Sequence, residues 1–130
     1  MQTASIVHCA ISVSDLDRST EWYHTHFGFI EKRRSEKEGL HIRSAILTAA
    51  SGTLEVIEPA RPYPPEKSTG VLIDELRNIG VNHVAIGVED IHACYRDLQD
   101  CNTEMVTELL DERLFFCKDP DGTLIEVKRT

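Results

Sequence analysis

Gly80-Val81-Asn82-His83-Val84-Ala85-Ile86-Gly87-Val88-Glu89-Asp90-Ile91 repeats in outline a stretch near the N-terminus, Ile6-Val7-His8-Cys9-Ala10-Ile11-Ser12-Val13-Ser14-Asp15-Leu16. Placing His8 on His83, a shift of 83 − 8 = 75 positions, also aligns Ala10 with Ala85, Ile11 with Ile86, Val13 with Val88 and Asp15 with Asp90. Each copy is an alternating apolar run ending in an Asp whose side-chain oxygen can cap a helix. A strand followed by a helix is therefore expected twice. On such strands His8 shares a face with Ala10 and Ser12, and His83 with Ala85 and Gly87. The opposite faces, with Val7, Cys9, Ile11 and Val13 or Val84, Ile86 and Val88, are apolar enough to pack under helices. A histidine among small side chains reads as the lining of a cavity.

Outward from these stretches, residues 5–13 form the first strand, and Asp15 opens a helix with Trp22, Tyr23 and Phe27 as core and Gly28 as its stop. Phe29–Arg34 reads as a strand and Ser35–Gly39 as a polar loop. Residues 41–49 and 53–58 form a hairpin around Ser51-Gly52. Pro59, Pro62, Pro64 and Pro65 exclude a central strand or helix interior, so 59–70 is a linker. Val71–Arg77 then makes a short helix before the strand 81–88. Ile91, Cys94, Tyr95 and Leu98 share one face of the next helix. Residues 104–109 and 113–118 read as strands, Asp119-Pro120-Asp121-Gly122 as a turn, and Thr123–Lys128 as the last strand. The fold class is α+β: one domain of two modules, about 5–58 and about 80–130, each a strand, a helix and three antiparallel strands.

Fourteen basic against 22 acidic residues give a net charge of −8, which repels phosphate backbones and anionic membranes, so neither nucleic acid nor membrane is an expected partner. No apolar run approaches the roughly 18 residues that cross a bilayer, and Met1-Gln2-Thr3 lacks the basic lead of a secretory signal. A soluble, cytoplasmic protein is expected. Cys9, Cys94, Cys101 and Cys117 form no Cys-x-x-Cys pair and read as buried thiols in a reducing compartment.

Late in each module a carboxylate interrupts an apolar strand, in Leu54-Glu55-Val56 and in Ile125-Glu126-Val127. Burying such a group costs several kcal/mol unless it is paired or bound to a cation. Symmetric packing of the copies would bring together His8, Glu55, His83 and Glu126. Two imidazoles and two carboxylates suit a divalent first-row metal, with water completing the shell. A solvent-facing position is the plain alternative for either glutamate alone, and the repetition of the His-Glu pattern argues against it. His24, His26, His41 and His92 lack such partners in the pattern, and Glu58, three positions after Glu55, points the other way.

These residues resemble the vicinal oxygen chelate superfamily, which includes glyoxalase I, methylmalonyl-CoA epimerase, extradiol dioxygenases and the fosfomycin and bleomycin resistance proteins. The resemblance is carried by His83-Val84-Ala85-Ile86 with Val88-Glu89-Asp90-Ile91, and by Phe116-Cys117-Lys118-Asp119-Pro120-Asp121-Gly122-Thr123-Leu124-Ile125-Glu126-Val127. It implies paired βαβββ modules forming a curved, mostly antiparallel sheet around a metal-centred cleft, in a homodimer. Carried over position by position, it puts metal ligands at His8, Glu55, His83 and Glu126, for Ni, Co, Mn, Zn or Fe.

The reading that follows is a glyoxalase-like lyase or isomerase. Its small-molecule substrate chelates the metal through vicinal oxygens and passes through an enediolate-like intermediate, with Glu55 or Glu126 as catalytic base. One alternative is Fe(II) extradiol-type dioxygenation by His8, His83 and Glu126, although Glu55 then occupies a position that those enzymes leave without a ligand. The other is a metal-free drug- or metabolite-binding protein like the bleomycin resistance proteins. Glyoxalase I typically has Arg four residues after the first ligand and Asn four after the second. Ser12 and Pro59 stand there, and a hydroxyl cannot replace a guanidinium toward a glutathione carboxylate.

Overall fold

The computed structural model describes residues 2–64 and 69–130, and the chain divides into two units, Met1–Pro62 and Tyr63–Thr130. In the first, strand β1 (Cys9–Ser12) leads into helix α1 (Leu16–Phe27), then β2 (Ile30–Lys37), a 3-10 turn (Glu38–Leu40), β3 (Ile42–Thr48) and β4 (Thr53–Pro59). These strands form a four-stranded sheet in the order β1-β4-β3-β2, in which β1 runs parallel to β4 and the other neighbours are antiparallel. The second unit holds α2 (Leu72–Glu75), β5 (Val84–Val88), α3 (Ile91–Asp100), β6 (Leu114–Lys118) and β7 (Leu124–Arg129). Its three-stranded sheet has the order β5-β7-β6, again with the first strand parallel to the last. In both sheets the first strand lies beside and parallel to the last, but the second sheet has one strand fewer.

The predicted punctuation is present. The Asp15 carboxylate accepts from the Arg18 amide and starts α1, and Gly28 ends it at φ 71°, a left-handed conformation that suits a residue without a Cβ. Asp90 caps α3 by accepting from the Ala93 amide. The Asp119 carboxylate accepts from the amides of Asp121 and Thr123 and shapes the turn between β6 and β7. In unit 1, Leu16, Ser19 and Tyr23 of α1 are buried with Ile11, Val13, Ala45, Leu47, Leu54 and Val56 from one face of the sheet. In unit 2, Ile91 and Leu98 of α3 are buried along with Ile86, Phe115, Ile125 and Val127. Ala10, Ser12, Ala85 and Gly87 alternate to the exposed side. Thr130 packs against Gly87 on that side, so a methyl group added there would overlap it.

Several expectations need correction. Residues 104–109 do not form a strand. Val106 and Thr107 both donate to the Phe116 carbonyl and Met105 makes an isolated bridge to Cys117, so the segment runs beside β6 without a regular ladder. The polar stretch Ser35–Gly39 is not a loop throughout, because β2 continues to Lys37 by pairing with β3. The first strand is shorter than 5–13: its ladder with β4 begins at Cys9, and Ile6 and Val7 are exposed. Tyr23 is fully buried, whereas Trp22 and Phe27 are only half-buried. Of the four free thiols, Cys117 is buried and Cys9 and Cys94 are half-buried, but Cys101 caps the end of α3 and is exposed. Burial pushes the Cys94 and Cys117 thiols up to about 11 and about 12. Part of the expected linker, at 65–68, lies outside the described residues, and Pro59 is the last residue of β4. Among the described residues, no helix is long and apolar enough to cross a membrane.

Unit 2 also contains a buried ion pair: Lys118 Nζ lies 2.7 Å from Glu75 Oε1, with the residues 2% and 6% exposed. Desolvation alone would raise the Glu75 pKa, but the Lys118 ammonium and the amides of Gly70 and Thr69 outweigh it and hold the carboxyl below its usual range. The pair's contribution is therefore complete above the unfolded carboxyl pKa, about 4.3, and is lost as pH falls through the lower folded value. Glu75→Gln removes the charge that Lys118 faces and is expected to cost about 3–5 kcal/mol at neutral pH. Urea unfolding of both proteins at neutral pH and at about pH 3 checks this: the difference should narrow on acidification, and a difference independent of pH would count against the account.

Candidate metal centre

In unit 1, β4 presents Glu55 between Ala10 of β1 and Ile46 of β3. In unit 2, β7 presents Glu126 between Ala85 of β5 and Phe116 of β6. Each glutamate thus has an alanine as its neighbour on the parallel strand, and the short side chain leaves room for the carboxylate. His8 and His83 were expected within strands, yet each stands one residue before its strand begins. Each lies two positions before the alanine and still reaches the glutamate. His8 Nε2 is 3.2 Å from Glu55 Oε2, and His83 Nε2 is 3.3 Å from Glu126 Oε2.

Two donors on one ion with bonds of about 2.1 Å stand about 3.0 Å apart at an octahedral right angle and about 3.4 Å apart at a tetrahedral angle. Both pairs fall between these values. A carboxylate only accepts hydrogen bonds, so an imidazole nitrogen facing it needs a proton or a metal ion between them. The glutamate side chains are 19% and 15% exposed, and His83 at 26% is more enclosed than His8 at 42%. Taken singly, each pair offers donor types, at a spacing, that suit a divalent cation.

The surroundings of the two pairs differ. Asn82 Oδ1 lies 2.8 Å from His83 Nδ1, and the Asn82 Nδ2 donates to the Glu75 carbonyl at 2.9 Å. The Phe116 ring meets the His83 ring edge-on, with centroids 5.5 Å apart. Lys128 Nζ is 3.6 Å from the second oxygen of Glu126. In unit 1 the corresponding places hold Val7, which is exposed, and Ile57. Among the described residues, Glu55 is the polar partner of His8. The sequence reading passed over Asn82, Glu75 and Lys118. The available signals were the Asn directly before His83, where the first copy has Val, and the lysine ending the apolar run Leu114-Phe115-Phe116-Cys117.

Glu58 and His24 have partners elsewhere. Glu58 points to the helix face, as expected. It accepts from the Leu16 amide at 2.7 Å and from the Arg43 guanidinium at 2.9 Å. Arg43 first and the Leu16 amide second hold its carboxyl below the usual range. His24 Nδ1 lies 2.8 Å from the Phe29 carbonyl, to which it can donate. His41 takes a left-handed turn before β3. A concavity of about 430 Å³ in unit 1 lies among Glu36, Lys37, His41, Arg43 and Glu58, away from His8 and Glu55.

Known proteins repeat this architecture. A profile of the Glyoxalase/Bleomycin resistance protein/Dioxygenase superfamily matches residues 5–127. The chain belongs to that superfamily. It is 27% identical, over 98% of its length and 91% of the relative's, to a protein of Vibrio cholerae named probable lactoylglutathione lyase. Its fold matches the trypanothione-dependent glyoxalase I of Leishmania major with a TM-score of 0.81, at 24% identity over 98% of this chain and 87% of that one. It also matches a point mutant of the fosfomycin resistance protein FosX of Listeria monocytogenes, solved with Mn(II) and 1S,2S-dihydroxypropylphosphonic acid. There the TM-score is 0.71, at 15% identity over 98% and 93% of the two chains.

The split between Glu55 and Glu58 has a direct consequence. Glu55→Ala is expected to abolish divalent-ion binding measured by calorimetry. Glu58→Ala should leave binding unchanged while costing about 1 kcal/mol of stability through the Leu16 amide at the start of α1. Loss of binding in Glu58→Ala with retention in Glu55→Ala would exchange the two assignments.

Proposed function

We propose that this superfamily member is a divalent-metal-dependent lyase or isomerase acting on a small substrate with adjacent oxygen atoms. The observation that carries the reading is the His-Glu pair itself, built twice at 3.2 and 3.3 Å on the same register of a parallel strand pair. His8, Glu55, His83 and Glu126 would together hold one ion, whose charge two carboxylates balance. The similarity to a protein named probable lactoylglutathione lyase and the Mn(II) held by FosX support an enzyme of this kind. When bound, such an ion supplies Lewis acidity that offsets negative charge developing on the substrate's oxygens.

The chain's own residues supply the proton transfer. A carboxylate beside the substrate takes the proton from the carbon next to a carbonyl and returns it. Both glutamates can do so, but they are not equally free. The second oxygen of Glu126 faces Lys128 at 3.6 Å, whereas no described cation faces the second oxygen of Glu55. Glu55 is accordingly the stronger candidate for the base and Glu126 for the anchor. Ser12 and Pro59 offer a substrate neither a cation nor an amide side chain, so its binding groups differ from those of glutathione. A homodimer accords with the exposed apolar side chains of Ile73, Leu76, Ile79 and Val81, which a second copy would cover.

Elemental analysis of untagged protein purified without chelators tests the site. About one divalent ion per chain is expected by charge and ligand count, and none in His83→Ala. About two ions per chain would mean that each pair binds alone, and no ion with no thermal shift on adding Ni, Co, Mn, Zn or Fe(II) would overturn the reading. With the ion identified, 2-oxo aldehyde adducts, acyl-CoA thioesters and catechols form the substrate panel. Glu55→Gln should lower kcat more than Glu126→Gln among variants that keep the ion, and the reverse order would make Glu126 the base.

A further inference from the structure

We propose that Asn82 is a positioning residue that holds His83 in one tautomer, with the proton on Nδ1 and the Nε2 lone pair presented to Glu126. The Glu75 carbonyl oxygen can only accept, so the atom of the Asn82 amide facing it at 2.9 Å is the nitrogen. That fixes the amide's orientation and turns Oδ1 toward His83 Nδ1 at 2.8 Å. An amide oxygen also only accepts, so Nδ1 carries the proton. In a neutral imidazole the other nitrogen then has the lone pair, and it lies 3.3 Å from a carboxylate oxygen. Two acceptors at that distance repel each other unless a proton or a metal ion lies between them.

The anchor behind this arrangement is firm. Glu75, whose carbonyl aims Asn82, is buried, and its carboxylate meets Lys118 at 2.7 Å and the amides of Thr69 and Gly70 at 2.9 and 3.1 Å. The Asn78 side chain donates to the same carbonyl at 3.2 Å. Phe116 bounds the imidazole on another side. The chain of contacts from Lys118 through Glu75 and Asn82 to His83 lies wholly within unit 2. Among the described residues Glu55 is the polar partner of the His8 ring, and Val7, which stands where Asn82 does in the repeat, has no polar side chain. The His83-Glu126 pair is thus the pre-formed half of the ligand set, and the His8-Glu55 pair is oriented by what it binds.

The tautomer rests on the Asn82 contacts without the proposed metal, whereas the effect on affinity rests on the four-ligand reading, and two measurements separate them. Long-range proton–nitrogen NMR on histidine-labelled, metal-free protein, at a mildly alkaline pH where an ordinary imidazole is neutral, should show His83 protonated on Nδ1. His8 should show no such single tautomer. His83 protonated on Nε2 in the wild-type protein overturns the proposal without recourse to any variant. Asn82→Ala should release the tautomer and weaken Co(II) or Ni(II) binding about 10- to 100-fold. Asn82→Asp, which keeps an acceptor for Nδ1 but loses the donor to the Glu75 carbonyl, should fall between the wild type and Asn82→Ala in both readouts. Unchanged tautomer and affinity in Asn82→Ala would also overturn the proposal. If the wild-type protein shows the Nδ1 proton yet binds no metal, the positioning role stands and the metal reading falls.

Discussion

The parallel register between the first and last strands of each sheet is the constraint on which the candidate site depends. Side chains alternate along a strand, so Ala10 opposite Glu55, and Ala85 opposite Glu126, put each carboxylate on the same face as the histidine two positions before the alanine. A slip of one residue would swing the glutamate toward the helix and expose the apolar residues beside it. The register is held because Leu54 and Val56, or Ile125 and Val127, are buried on the opposite face. The hydrophobic core and the polar pair are two consequences of one alternation.

That coupling explains why so much was legible in the sequence. The repeat of His, Ala, Ile, Val and Asp exposed a duplicated strand and helix start, and the caps at Asp15, Gly28, Asp90 and the Asp119 turn act through local hydrogen bonds that a sequence can reveal. The hairpin around Ser51-Gly52 and the burial of alternate residues on β4 and β7 followed from the same local rules. Residues 104–109 misled because alternation there is satisfied by side-by-side contacts with β6 rather than by a ladder. Cys101 misled because it falls at a helix end, where the buried face stops.

What the sequence could not show is the set of contacts made far along the chain. Lys118 and Glu75 are each residues that hydropathy assigns to the surface, and only their meeting across 43 positions makes both buried. A buried ion pair is weak evidence for stability, since desolving two charges offsets much of their attraction. Its clearer consequence is geometric: Glu75 is held by its carboxylate and so presents its carbonyl at a fixed place. Asn82 is read from that carbonyl and His83 from Asn82. Spacing in the sequence encodes none of these steps.

The two copies therefore share a backbone constraint but differ in what surrounds it. Val7 and Asn82, Ile46 and Phe116, and Ile57 and Lys128 occupy matching places around the two pairs. Each difference adds restraint or charge in module 2: an amide at the imidazole, an aromatic edge beside it, an ammonium near the carboxylate. The same donor atoms in module 1 have apolar or exposed neighbours instead. A ligand held in place in advance loses little freedom on binding, while one that is free can adjust to a substrate and return to rest. The repeat gives two matching His-Glu pairs, and the side chains around them restrain the second and leave the first with apolar or exposed neighbours, a difference that the proposed division between anchor and base would use.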